Sequence, residues 1–248
     1  MPWKPRKRKC KQKTTGNPGS WAVVKTTKDG SEEQVSCHAS KEKAESSIRA
    51  KHANENNLRL IIRQILVEKI QQEDFEDVMQ TAQLAHLGQK RRDGSDYIMH
   101  PIAVQKITKK HYPRNFAAQI LALLHDTVED GPAQGHITED ELRQIIRGSI
   151  TDPRDLQKIE VALDYLTHDK TTYPVYEDYL NLVFSNRLAA IVKISDLIHN
   201  LSHNPSKRQI IKYRTALKNV PIPGYIIQSH LDELMGILDA HSNSGGLD

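Results

Sequence analysis

The sequence predicts a mainly α-helical protein, a helical bundle preceded by a small ββα appendage. Three observations carry that expectation. From about residue 55 almost to the end, apolar residues recur every three and four positions, the period of an amphipathic helix. Before that, two short β-rich segments flank a "KDG" turn. No glycine-rich phosphate loop, internal repeat or alternating βα pattern occurs in the 248 residues.

The elements follow in order. Residues 1–19 read as a basic flexible arm and linker: "MPWKPRKRKCKQK" carries seven Lys or Arg and no acid, and "TTGNPGS" is rich in turn formers. Without residues 1–13 the chain holds 28 basic against 31 acidic residues, a balance of −3, so the net charge of +4 resides in that arm. Such a run can contact nucleic acid, but with Trp3 as its one aromatic residue the favoured reading is a solvated arm. "WAVVKTT" and "EEQVSCHAS" then suggest a hairpin, and "SKEKAESSIRAKHA" a short helix capped by Ser40, a ββα unit over residues 20–54. Its "SCHASKEKAESSIRAKHANE" run is similar to a short unit of phage structural and morphogenesis proteins. The Cys37–His38 pair is too small a donor set for zinc.

The helical body spans residues 55–240, with 241–248 as a flexible tail. "NLRLIIRQILVEKI" and "EDFEDVMQTAQLAHLGQ" read as helices, followed by "HPIAVQKITKKH" and an apolar helix that includes His125. "ITEDELRQIIRG" has a capping box, Thr138 with Glu141, and Gly148 as its stop. "DPRDLQKIEVALDYLTH" starts at Asp152 with Pro153 in the first turn. "VYEDYLNLVFS", "NRLAAIVKISDLIHNLSH" and two further helices complete the bundle. Two cysteines are too few for a disulfide framework, so a reducing compartment is the default. No apolar run approaches the ~18 residues of a membrane span. A cytoplasmic protein is expected, in the host cytoplasm if phage-encoded.

The stretch "ALLHDTVEDGP" ends the most apolar helix in a cluster of ionisable groups. On a continuous helix, His125 and Asp126 lie about 100° apart and reach one point, with Glu129 and Asp130 one turn on. A buried carboxylate there needs compensation, which a metal supplies. "DYIMHP" offers His100 as a further ligand, and "VKISDLIHN" offers Asp196, with Asn200 one turn on. Two imidazoles and two carboxylates form a mixed set that suits Mn²⁺ or Fe²⁺, with Zn²⁺ as an alternative. His86, His199, His203, Tyr173, Tyr176 and Tyr179 read as packing residues.

Together "AHLGQKRRDGSDYIMHP", "ALLHDTVEDG" and "VKISDLIHNL" resemble the HD-domain hydrolases of the RelA/SpoT type, including the stand-alone small alarmone hydrolases. The resemblance covers about residues 70–205. It implies an HD-domain bundle with metal ligands His100, His125, Asp126 and Asp196, and catalytic acids Glu129 and Asp130. It further implies substrate contacts at Arg91, Arg92, Tyr97 and Asn200, and a guanine nucleotide alarmone as substrate. The expected reaction is metal-dependent removal of the 3′-pyrophosphate of (p)ppGpp. The stretch after residue 205 leaves no room for a synthetase domain, so alarmone synthesis is not expected. The chain departs from the family at Asp96, where proline is common, at Leu197, where a basic residue is frequent, and at Ser202 and His203, where Arg and Thr are frequent. These positions fall on the substrate wall. The alternative readings are an HD-type nucleotidase or phosphodiesterase on another nucleotide, and a phage-derived nucleotide-binding protein with a vestigial site.

Overall fold

The computed structural model describes residues 3–12 and 15–243 and divides into two compact units, residues 1–69 and 70–248. It is mainly helical with a three-stranded antiparallel sheet near the N-terminus.

In the first unit, strands β1 (Trp3–Lys11), β2 (Pro18–Thr26) and β3 (Glu32–His38) form a sheet in sequence order. The basic segment expected to be a flexible arm is therefore strand β1, paired with β2 from Trp3↔Lys25 to Lys11↔Pro18. The sequence conceals this because its alternation is cationic: only Trp3, Pro5 and Cys10 interrupt the run with apolar groups. Trp3 and Val23 pack with Ala44 and Ile48 of the following helix, which gives the strand its anchor. The expected hairpin is present in β2 and β3. Asp29 accepts hydrogen bonds from the Ser31 amide and hydroxyl, and Gly30 takes the positive φ of the turn.

Cys10 and Cys37, expected in reduced form, are disulfide-bonded, with Cα atoms 5.8 Å apart. The bridge links the two outer strands across β2. It passes over Gly19, where a Cβ would stand 2.5 Å from the Cys37 sulfur and 2.7 Å from the His38 carbonyl oxygen. Glycine is required there by clearance rather than by its backbone angles.

Helix α1 runs from Lys41 to Ala85 without interruption, so the expected boundary at residues 54/55 falls inside one helix. Its 45 residues contain no glycine or proline, and the polar stretch "HANENN" breaks periodicity without breaking the helix. Ser40 caps its start by accepting from the Lys43 amide. Between residues 58 and 67, Leu58, Leu60, Ile61, Ile62, Ile65, Leu66 and Val67 are exposed.

The second unit continues with α2 (Met99–His111), α3 (Phe116–Leu124), the short α4 (Thr127–Asp130), α5 (Glu139–Gly148), α6 (Pro153–Leu166), α7 (Tyr176–Ser185), α8 (Arg187–Ser202), α9 (Lys207–Asn219) and α10 (Gln228–Asn243). The capping box at Thr138 and Glu141 and the Asp152 cap with Pro153 stand as the sequence predicts. A second capping box joins Ser206 and Gln209. Helix α10 extends beyond residue 240, and His241 of the expected tail meets the Leu201 carbonyl at 2.7 Å; residues 244–248 lie outside the described residues. Helix α3 is buried from Ala117 to Leu124 and packs against α2, α6 and α8. Helix α8 is buried on most sides from Ala189 to Leu201. These two apolar rods form the centre of the unit. Among the described residues no helix is long and apolar enough to cross a membrane.

The bridge closes a segment of 27 residues, and constraining such a loop in the unfolded chain is worth roughly 3–4 kcal/mol. Reduction should therefore lower protection against hydrogen exchange in β1–β3 while the second unit keeps its own. Dithiobis-nitrobenzoate titration of the unfolded, unreduced chain should find no free thiol; two thiols would show that the bridge does not form.

Candidate metal and anion site

The expected helix through His125 is broken. Helix α3 ends at Leu124, and His125 and Asp126 form a turn before α4. Side chains take over the carbonyls of the last turn of α3. His125 Nδ1 meets the Ala122 carbonyl at 2.9 Å, and Thr127 Oγ1 donates to the Leu124 carbonyl at 2.7 Å. Such local bonds compete with the helical ladder and end it. The break lets both His125 and Asp126 face the same point. The Nδ1 bond to a carbonyl also places that ring's proton on Nδ1, leaving Nε2 with a lone pair.

Four side chains from three places in the chain converge. His100 Nε2, in the first turn of α2, lies 3.2 Å from His125 Nε2, 3.3 Å from Asp126 Oδ2 and 3.2 Å from Asp196 Oδ1 of α8. His125 Nε2 lies 3.1 Å from Asp126 Oδ2 and 3.8 Å from Asp196 Oδ1. Donors about 2.0–2.2 Å from one cation and at right angles to each other stand roughly 3 Å apart. His100, His125 and Asp126 fit one divalent ion on that measure, and Asp196 Oδ1 stands beside both imidazoles. Both imidazoles and Asp196 are buried, and Asp126 is a quarter exposed.

Further side chains fix the donors. His100 Nδ1 is 2.7 Å from His199 Nδ1, so His100 can donate there and keep Nε2 for a cation. Burial, with the neighbouring His100 and His203, pushes the His199 imidazole down to about 3, which keeps it neutral and able to accept. Tyr97 donates its hydroxyl to Asp126 Oδ2 at 2.7 Å; burial and the Asp126 charge raise its pKa far above the ordinary value. Lys193 Nζ lies 2.9 Å from Asp196 Oδ2, and the Asn200 amide donates to Asp196 Oδ1 at 2.6 Å. Burial alone would raise Asp196, yet the Lys193 charge and the His100 hydrogen bond hold it well below the usual carboxylate range. Asp126 is likewise held down, against burial, by His125 and His100.

His199 and Lys193 are the residues sequence reading missed. A lysine inside the apolar run "LAAIVKISDLI", three residues before an aspartate, was the available signal for the second. His86 is also tied in: its ring packs on Tyr97 with centroids 4.7 Å apart, and Nδ1 is 2.7 Å from Gln89 Oε1.

The expected substrate contacts gather at one cleft of about 850 Å³, whose wall includes Arg91, Arg92, Tyr97 and Asn200 together with His100. Arg92 donates to Gln209 of α9 at 3.2 Å, and Lys90 is paired with Asp96, which pins the loop between them. His203 joins this wall and packs on His199 with centroids 4.1 Å apart. Glu129 and Asp130 sit one turn beyond the donors without a hydrogen bond or ion pair to them among the described residues. Asp130 Oδ2 accepts from Gln89 at 3.0 Å. Glu129 accepts from the His168 amide at 3.4 Å and lies 3.5 Å from Lys170 Nζ.

No family model matches the chain. Over 136 residues, 50% of this chain, it is 33% identical to a protein of Arabidopsis thaliana named putative GTP diphosphokinase RSH1, chloroplastic, and covers 15% of it. It is 30% identical to guanosine-3′,5′-bis(diphosphate) 3′-pyrophosphohydrolase of Haemophilus influenzae over 53% of this chain and 19% of that protein. It is 28% identical to bifunctional (p)ppGpp synthase/hydrolase SpoT of Escherichia coli over 60% of this chain and 22% of that protein. The chain spans less than a quarter of the length of each of these relatives.

Two outcomes are expected of the metal-free protein. Burial lowers the His100 imidazole, but hydrogen bonds to Asp126 and Asp196 outweigh it and raise the group to about 9. A raised folded-state value means the proton's stabilising contribution is full below about 6.5 and lost as pH rises through about 9. A cation must displace that proton, so Mn²⁺ affinity measured by calorimetry should rise across this window; a flat profile would contradict the assigned protonation. His199→Ala should weaken Mn²⁺ binding by about 10–100-fold, the usual effect of losing a partner that orients a ligating imidazole. Unchanged affinity would remove His199 from that role.

Proposed function

We propose that this chain is a metal-dependent pyrophosphohydrolase of the HD-domain type that removes the 3′-pyrophosphate of guanosine tetra- or pentaphosphate. The products are GDP or GTP and pyrophosphate. The observation that carries the reading is the convergence of His100, His125 and Asp126, with Asp196 Oδ1 3.2 and 3.8 Å from the two imidazoles, beside a cleft bearing Arg91 and Arg92. Relatives named for this hydrolysis in Haemophilus influenzae and Borreliella burgdorferi support it.

The four donors would hold Mn²⁺, with Fe²⁺ or Zn²⁺ as alternatives, since a mixed nitrogen and oxygen set accepts each of them. Such an ion supplies Lewis acidity, which activates water near neutral pH and offsets phosphoryl charge. The chain's own groups do the rest. Arg91 and Arg92 take phosphate oxygens through their forked donors, and the bond to Gln209 holds Arg92 before substrate arrives. Tyr97 keeps Asp126 oriented, while Lys193 and Asn200 do so for Asp196. In the reaction water attacks the phosphorus attached to the 3′-oxygen, and the bond between them breaks. Water gives up one proton and the departing 3′-oxygen gains one. Glu129 and Asp130, one turn past the ligands, are the groups assigned to accept and deliver it. Their surroundings differ, an exposed carboxylate beside Lys170 and a half-buried one held by Gln89, which suits two separate protonation roles.

The deciding experiment supplies purified protein with Mn²⁺ and ppGpp, identifies the products, and compares a panel of other nucleotides. Release of pyrophosphate and GDP, with slower turnover of the panel, is expected. Preference for another nucleotide would move the reading to a different HD-type phosphohydrolase. Asp126→Ala should abolish both bound metal and turnover. Glu129→Ala should keep the metal and lose about 10²–10⁴-fold in kcat, the usual share of a proton-transfer group. Arg91→Ala should raise KM with kcat little changed. Full hydrolysis by either carboxylate variant would overturn the assigned roles.

A further inference from the structure

A second, larger cleft of about 1190 Å³ lies within the helical unit at the far end from the metal-ligand set. It is formed where α2 ends at Tyr112, where α3 begins at Phe116, where α8 begins at Arg187, and along the first two turns of α6. The same helices carry His100, the His125–Asp126 turn and Asp196 toward their other ends. Along α8 alone the separation from Arg187 to Asp196 is roughly 13 Å. The cleft therefore shares no wall with the one that holds Arg91 and Arg92.

Its lining has two characters. Four cations, Arg114, Arg154, Lys158 and Arg187, face one acid, Asp155. That acid is already matched, because Lys158 Nζ lies 2.9 Å from Asp155 Oδ1. Arg114, Arg154 and Arg187 are exposed and take part in no ion pair among the described residues. Arg187 instead lies over the Tyr225 ring, 5.7 Å from its centroid. Between the guanidinium groups, Tyr112, Phe116, Val161 and Leu188 provide an apolar surface. Asn115 accepts from the Ala118 amide, and Asn186 from the Leu188 and Ala189 amides, so these three amides at the starts of α3 and α8 are engaged by their own caps.

We infer that this cleft binds a nucleoside di- or triphosphate, separately from the catalytic cleft. Three unpaired guanidinium groups on three different elements call for a ligand with several negative oxygens, since each fork makes paired, charge-assisted hydrogen bonds. The apolar and aromatic surface beside them suits the base of such a ligand and gives inorganic phosphate nothing to contact. Neither feature depends on the catalytic reading, so this assignment stands or falls without it.

The test uses GTP and ATP as probes, by calorimetry in EDTA, on the full chain carrying Arg91→Ala and Asp126→Ala to silence the catalytic cleft. Saturable one-to-one binding is expected in that background. Adding Arg114→Glu and Arg187→Glu, or separately Arg154→Glu, should weaken it at least tenfold with unchanged circular dichroism. No saturable binding below 1 mM (about the weakest affinity a specific small-ligand site would show) would overturn the inference. So would affinity unchanged from that background in both charge-reversed proteins, or displacement by an acidic peptide more effective than by nucleotide.

Discussion

Two aspartates that both contact the His100 imidazole, against a core of leucine, isoleucine and valine, dominate the electrostatics of the helical unit. Asp196 is nearly inaccessible, and Asp126 is a quarter exposed. Leaving such carboxylates uncompensated would cost several kcal/mol each, which is a large share of a domain's total stability. The surrounding residues answer that cost one by one. Lys193 and Asn200 engage Asp196, Tyr97 engages Asp126, and two imidazoles stand between the carboxylates. A cation at the same point would replace the proton on His100, so the unit stores its demand for positive charge where the chemistry is assigned. The break between α3 and α4 belongs to the same constraint, since a continuous helix would turn consecutive residues away from each other by about 100°.

Much of this was legible before any coordinates. Helices with explicit punctuation, such as the one starting at Thr138 with Glu141 or the one starting at Asp152–Pro153, fall where their caps place them. The residues that come together here, His100, His125 and Asp126 with Asp196 beside the imidazoles, were also legible, because each is a charged or imidazole group that interrupts or abuts an apolar run. What escaped reading was set by contacts distant in sequence. Nothing local in "KPRKRKCK" favours a strand, and β1 is ordered by Trp3 packing on α1 and by pairing with β2. The pairing of Cys10 with Cys37 depends on a register that brings the outer strands together. Helix α1 was divided on the expectation that a polar stretch ends a helix, whereas only glycine, proline or a competing cap does so reliably.

Of the four positions that depart from the pattern the sequence resembles and were expected on the cleft wall, only His203 lines the cleft, whereas Leu197 is buried in the core. Asp96 is paired with Lys90, which removes one cation from those free to meet phosphate and stiffens the loop that carries Arg91 and Arg92. His203 packs on His199, which in turn contacts His100, so a residue on the rim touches the support of a metal donor.

The clearance above Gly19 ties three distant positions into a single unit of change. A methyl group at that position would occupy the space of the Cys37 sulfur, so the bridge and any larger residue there exclude each other. Loss of either cysteine would free the sulfur to move, but the His38 carbonyl would still crowd the same point, so a larger residue 19 would have to displace a strand as well. Sequence drift through this sheet can begin at Cys10 or Cys37 but is closed at its centre strand.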